Sequence, residues 1–575
     1  MTDTHGEIMP PEIGGGATTR DVPGAADLPR DFGYRNLFGV PAPSEQYGGF
    51  QIGGALHKDA TRQMLHHLAE RMEGGFGWTT ALPGARSRLD NPRIPSGYTY
   101  LAQLVAHDLS HLATLLPTGA GNAQRSMNVR RHSLVLDTIY GGGPFESPYS
   151  YERTADDVTL RTRFRLGYVR SSDGASTLNE ARDIARAACP NLRDVRPAGL
   201  PEVLIADARN DNNLILAQLT TLFQLLHNAV LGALPAPDCG PLPQKRARAD
   251  TQRFQQAKDF VTFLYWRVLR HDLLRKLLND EVYQRYASRA SMGDLADSYG
   301  MLATELPREF THAVFRMGHA MVRHSYSISG DQPPLGATLS SLDAIRMTSS
   351  GARSRYQDLP LREQWVVQWS HFFDLANETG RVPNLSRRIQ PGAVDSLLSQ
   401  TILPSFDESD HSGIMYRDLL RGASVVVRSV ASLIDKLRRS ELLGSMMVGC
   451  QLLAEADFRA EAIASWLRQE ASPLTDEEIT CIAKDPPLGF FVLFEAAFVE
   501  QGKCLGPLGS AILAEVLFAA LARSARDRAV AAAQPGIQEL AEALCPEGIP
   551  ENMPGLVKLT ARLSPELLTG RCKFI

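Results

Sequence analysis

Four places along the chain bring together side chains able to move a proton, hold a charge or ligate a metal. In TYLAQLVAHDLSHL, Gln103 and His107 lie four residues apart and so share one face of a helix, with Asp108 turned away from them. A buried Gln and His on one face form a polar pocket suited to proton transfer; the plain alternative is a core histidine satisfied by a backbone carbonyl. His107 and His111 repeat the i, i+4 spacing of helical zinc ligands, but no Glu follows the first His as in HExxH. In IADARNDNNLILAQLTTLF, Arg209 stands before a helix capped by Asp211 or Asn212, where an arginine is ordinarily a solvated or capping charge. In LPREFTHAVFRMGHAMVRHSY, His312, His319 and His324 accompany the apolar stripe Phe310, Val314, Met317 and Met321, and spacing does not choose a ligand among them. In MYRDLLRGA, Asp418 and Arg421 are one helical turn apart, which read alone is a surface ion pair.

The elements that must position these groups are mostly helices. Leu101, Leu104, Val105, Leu109 and Leu112 give the His107 segment a strong 3.6-residue period. Lys58 to Arg71 has the same spacing and stops at GGFGW. Further helices are expected at 212–233, 250–278, 308–323, 362–375, 424–436, 441–470 and 507–530. Strands are scarce and no repeat period is evident, while 140–200, with its GGGP and SSDG turns, has room for short hairpins. The expectation is a mainly α chain with one large helical domain over 31–530. A flexible Gly, Pro and Thr-rich tail would occupy 1–30, and a C-terminal extension packed on the domain 531–575.

Bulk properties limit the partners. The chain has 575 residues, 44% hydrophobic and 22% charged, a globular balance. A formal net charge of -4 concentrates neither phosphate nor anionic lipid, so nucleic acid is not an expected partner. The opening MTDTHGEIMPPEIGGG has no basic-then-apolar signal, which favours a cytoplasmic protein and leaves signal-independent export open. Seven cysteines without a CxxC pair argue for reduced thiols. The apolar stretch from Gly489 to Ala522 is interrupted by Glu495, Glu500, Lys503 and Glu515, so no transmembrane segment is expected.

Taken in order, these segments resemble the peroxidase-cyclooxygenase superfamily, the animal-type haem peroxidases, and its bacterial members in particular. NPRIPSGYTYLAQLVAHDLSHL is similar to the family's distal-histidine segment, LDTIYGGGP to its LDLDSLYGGGP loop, and ADARNDNNLILAQLTTLFQLLHN to its GDxRxxEN helix ending in HN. EFTHAVFRMGHAMVRHSY resembles the proximal-histidine helix and YRDLLRG the later Asn/Asp and Arg pair. PPLGFFVLFEA and LGPLGSAILAEVL resemble the C-terminal helices, so the likeness covers roughly 31 to 530. The resemblance implies a haem peroxidase that reduces hydrogen peroxide through a ferryl intermediate and oxidises a small-molecule electron donor. It makes His107 the acid/base, Gln103 the distal glutamine, Arg209 the charge stabiliser and His319 the haem-iron ligand. Asp418 would take the place of the usual Asn beside that ligand, and Arg421 would pair with a haem propionate.

Departures from the family pattern refine this. The two ester-forming carboxylates are replaced by Ala106 and Asn212, which implies non-covalent haem b, a less oxidising haem and doubtful chloride oxidation. The family's calcium position retains Asp108 and Asp137, with Ser133 as a further donor, but has Val135 in place of an Asp. Where the oxygenase branch has its radical Tyr, three residues before the proximal His, this chain has Arg316. A fatty-acid dioxygenase and a non-catalytic haem-binding protein of the same fold are the competing readings.

Overall fold

Apolar residues at helical spacing do produce a mainly helical molecule. The computed structural model describes residues 34–48, 58–74, 88–115, 125–128, 130, 134–152, 161–188, 201–235, 242–288, 305–330, 337–349, 359–394, 397, 413–469, 472–531 and 536–575. The tail expected at 1–30 and Ser133 lie outside the described residues. Nine helices of ten residues or more are described: α1 (Lys58–Gly74), α2 (Gly97–Leu109), α3 (Leu214–Ala233), α4 (Pro243–Val268), α5 (Ile414–Ala423), α6 (Ala456–Arg468), α7 (Leu488–Glu500), α8 (Pro507–Ala531) and α9 (Met553–Leu563). The described strands form six two-stranded ribbons, among them an antiparallel hairpin of Leu166–Arg170 with Thr177–Ile184 in the irregular 140–200 region.

One main core cluster runs from Tyr34 to Phe574 and takes in most of the apolar residues of α3. That helix packs against α2, α4 and α9, and its residues from Leu214 to Gln224 are all buried. α3 and the Pro507–Ala525 stretch of α8 are each long and apolar enough to cross a membrane, yet 94% of each is buried inside the protein. Their apolarity is therefore accounted for by the core, whereas charge interruption alone does not distinguish the second one. Between 536 and 575, Met553, Leu556 and Val557 are fully buried, so the C-terminal residues build core as well as covering it.

Several expected helices are shorter or differently wound, each for a visible reason. α2 ends at Leu109, and Leu112 belongs to a strand, Leu112–Leu115, paired with Arg125–Asn128. Side chains intercept the helix's last carbonyls: Asn128 Nδ2 donates to the Leu109 carbonyl, while Arg209 and Arg130 donate to that of His107. The segment expected as a helix over 308–323 is one α-turn, Arg308–Thr311, followed by a 3-10 helix, Val314–Met321. That expected over 362–375 is two short 3-10 turns, because the Gln368 and Trp369 N–H groups are drawn off to the carbonyls of Ile328 and Phe574. The stretch 441–470 divides into three helices at Cys450 and Glu455, both extended. α4 passes through a π-helical turn at Leu269–Leu273 before resuming.

Candidate active site

α2 starts where the chain can pass close to a neighbour. A Cβ on Gly97 would lie 2.5 Å from the Phe373 ring and 2.6 Å from the Phe372 carbonyl, so only glycine admits this approach. Ten residues on, His107 is fully buried, and its Nδ1 lies 2.9 Å from Asn210 Oδ1. Gln103, one turn earlier, is half-buried. His111 lies past the end of α2, so it does not share a helix face with His107 as the i, i+4 spacing supposed. Burial and the nearby Arg209 guanidinium push the His111 imidazole down to about 4.

Arg209 sits on a 3-10 turn, Ala208–Asp211, capped by Asp207. The cap of α3 is Asn213, whose side chain accepts from Ile215 N–H; Asp211 and Asn212, the expected caps, are not it. Asp211 instead accepts from Arg186 and from Ser349 N–H. Arg209 directs Nε to Asp207 Oδ1 at 2.9 Å, Nη2 to Asp207 Oδ2 at 2.6 Å and to the His107 carbonyl at 2.9 Å, and Nη1 to the Ser110 carbonyl at 2.8 Å. Its donors are thus spent largely on fastening the end of α2 to the Asp207 loop. Burial opposes ionising Asp207, but Arg209 outweighs it, with Arg130 adding, and holds the carboxyl well below the usual range. This geometry makes Arg209 a brace for the end of the His107 helix.

The three histidines of the LPREFTHAVFRMGHAMVRHSY segment stand in different surroundings. His324 is exposed, and His312 is buried edge-on to Tyr34 and pushed down to about 3 by burial and Arg316. His319 is buried, and its Nδ1 donates to Asp418 Oδ2 at 2.6 Å. Arg316 Nη1 donates to the other oxygen of the same carboxylate at 2.8 Å. With three residues per turn, a 3-10 helix stacks residues i and i+3, so Arg316 and His319 reach one carboxylate together. An α-helix would turn them about 60° apart. Asp418, far from a surface ion-pair partner, is buried on α5. Arg421, one turn later, lines a cleft with Ala106 and Leu109 of α2, the following Ser110, and Phe315 and Arg316 of the 3-10 helix. Ala106, beside His107, and Arg316, which shares Asp418 with His319, thus line one cleft.

The chemistry of these residues suits a haem. His319, hydrogen-bonded to a carboxylate through Nδ1, is the arrangement that fixes a ligating imidazole through Nε2. Arg316 Nε is buried without a hydrogen-bond partner among the described residues, and Arg421 stands beside it, a cationic pair suited to propionates. Neither Ala106 nor Asn212 offers a carboxylate for an ester.

Calcium fits less well. Asp108 is fully buried, accepts N–H bonds from Leu136 and Thr138, and is pushed up to about 6 by burial and Asp137. Asp137 has the Lys258 ammonium at 3.7 Å, and the Leu134 carbonyl accepts from the Trp266 indole N–H. Both Asp108 oxygens, one of Asp137 and the Leu134 carbonyl already face protein donors, whereas calcium requires about six oxygens.

The residues that sequence reasoning passed over are Asn210, Thr138, Asp207 and Arg130. Asp207 and Asn210 lay in the quoted ADARNDNN segment and Thr138 in LDTIYGGGP without being singled out, and Arg130 lay outside every quoted segment; their roles become visible only when these loops and α2 meet.

The animal haem peroxidase family model matches residues 124–359, which include Asn210, Arg209 and His319. No curated protein matches the chain. Among solved structures, fatty acid alpha-dioxygenase of Oryza sativa is 13% identical with a TM-score of 0.51, covering 90% of this chain and 81% of that one. Peroxidase A from Dictyostelium discoideum is 12% identical with a TM-score of 0.48, covering 86% and 88%. The family model thus matches the part of the chain that carries Arg209, Asn210 and His319, and the Oryza sativa structure shares the fold.

Proposed function

We propose that the chain is a haem peroxidase that uses hydrogen peroxide to oxidise a small-molecule electron donor, with non-covalent haem b held by His319. The observation that carries this reading is the buried His319–Asp418–Arg316 arrangement. A carboxylate on Nδ1 makes the imidazole a stronger electron donor than an amide would, which favours peroxide cleavage over reversible ligand binding. Haem, when bound, supplies the two-electron reduction of peroxide and the oxidation of the donor. The protein's own part is proton handling and positioning. His107 Nε2 takes a proton from one peroxide oxygen and returns it to the departing one. Arg209, braced by Asp207, adds positive charge near the end of α2. Arg421, and Arg316 through the Nε that its Asp418 pair leaves over, would hold the propionates.

Arg316 also bears on the dioxygenase alternative. It occupies the position where the resemblance puts the oxygenase branch's radical tyrosine, and its ion pair with Asp418 at 2.8 Å commits it elsewhere. The test is rapid mixing of the purified, haem-containing protein with peroxide. A fast peroxide-dependent change in the haem absorption is expected in wild type, slowed about 10²- to 10⁴-fold in His107→Ala. Haem that binds but gives no such change with wild type would leave a binding protein and reject the peroxidase.

A further inference from the structure

A histidine can serve as a base only through the ring nitrogen that lacks the proton, and which nitrogen that is depends on what the other one faces. His107 Nδ1 faces Asn210 Oδ1 at 2.9 Å, and both residues are fully buried. A carboxamide can be turned end for end, so the pair alone leaves two descriptions open. Thr138 closes the choice. Its carbonyl, which can only accept, lies 3.1 Å from Asn210 Nδ2, and its hydroxyl lies 3.3 Å from Asn210 Oδ1. Turned round, the amide would set its oxygen against the Thr138 carbonyl and its NH₂ against His107. With the amide so held, Oδ1 accepts and His107 Nδ1 donates.

Thr138 is itself anchored, since its N–H donates to Asp108 Oδ1 and its hydroxyl also reaches Asp207 Oδ2 at 3.3 Å. Asp108 adjoins His107 on α2, and Asp207 is the carboxylate that Arg209 and Arg130 clamp to the end of the same helix. The loop after Leu136, the Asp207–Asp211 turn and α2 therefore lock one another, with the Asn210 amide at their junction.

We infer that Asn210, oriented by Thr138, is a positioning residue that keeps His107 in its Nδ1–H form and makes Nε2 the basic nitrogen. This deepens the peroxidase reading and rests on it for its catalytic meaning, but not for the tautomer itself. The tautomer is measured on the full chain as purified, with ¹⁵N-labelled histidine and the His107→Ala spectrum subtracted. Where the purified chain carries haem, it is taken in the reduced, carbon-monoxide form so that it is diamagnetic. The expected result is the Nδ1–H form at neutral pH in wild type, lost in Asn210→Leu, which keeps the shape without the acceptor. Asn210→Asp keeps an acceptor, so the Nδ1–H form must persist there, a test that remains if the Leu variant does not fold. An Nε2–H form in wild type or in Asn210→Asp overturns the inference, as does an unchanged tautomer in Asn210→Leu. Reaction with peroxide should slow at least about tenfold in Asn210→Leu at equal haem content and recover in Asn210→Asp. The tautomer decides this inference, and the His107→Ala rate decides the peroxidase reading, so the two fail separately.

Discussion

At the scale of single residues, the site is held by a few carboxylates that each serve two partners. Asp418 takes His319 and Arg316, and Asp207 takes Arg209 and Arg130. Removing such a carboxylate strands a buried guanidinium, which costs far more than the loss of one contact. Asp418→Ala should therefore lower unfolding free energy by about 3 to 5 kcal/mol, read by urea titration. Asp418→Asn keeps an acceptor for His319 Nδ1 and should retain haem while weakening the electron donation that a carboxylate provides. Its expected signature is a higher haem reduction potential than wild type; an equal or lower one would count against the role assigned to the charge.

At the scale of elements, α3 organises the interior through its ends and one buried turn. Asn213 caps its start, so Asn213→Ala should cost about 1 kcal/mol in chemical unfolding. Near its end, Asn228 pairs with both the N–H and the carbonyl of Phe164, and His227 sits between the Tyr140 hydroxyl and the Thr162 carbonyl. The carbonyl requires Nε2–H, so Nδ1 accepts from Tyr140 and the imidazole is neutral. Burial pushes it down to about 4, well under the value of 6.5 it would have when unfolded. Between those values the unfolded chain binds a proton that the folded one does not. The contribution of His227 is thus whole above pH 6.5 and lost as pH falls toward 4. Tm of wild type should drop more steeply over that interval than Tm of His227→Gln; parallel curves would refute the assignment.

At the scale of the whole molecule, the last residues tie separate parts of the chain together. The Phe574 carbonyl accepts from Trp369 N–H, the Leu567 carbonyl from Arg182, and Glu180 from the N–H groups of Arg571 and Cys572. Phe574 and Leu567 are also buried, worth about 1.5 to 3 kcal/mol each. Deleting 564–575 should consequently lower Tm markedly, measured by calorimetry, and a Tm within a degree or so of wild type would make the segment a passive covering. The Asp137–Lys258 pair leads to a second expectation at this scale. Chelator should leave Tm unchanged and elemental analysis should find no stoichiometric calcium; a Tm restored by added calcium after chelation would contradict the geometry.

Sequence alone determined what local periodicity and side-chain type can determine. The His107 helix, the buried α3, the scarcity of strands and the separate candidates His107, Arg209, His319 and Asp418 were all legible, because apolar spacing and functional-group chemistry are written residue by residue. Tertiary structure decided the rest. Nothing local ends α2 at Leu109, since its last carbonyls are taken by Arg130, Arg209 and Asn128 from elsewhere in the chain. Nor does the run from Arg308 to Arg323 declare its 3-10 winding, whose stacking of Arg316 on His319 gains meaning only from a carboxylate a hundred residues later. The carboxylate partner of His319, the committed donors of Arg209 and the orientation of Asn210 all depend on partners distant in sequence. A one-dimensional pattern names the groups that could act; only the fold determines which atoms each is free to offer, because hydrogen bonds and charges are satisfied in space.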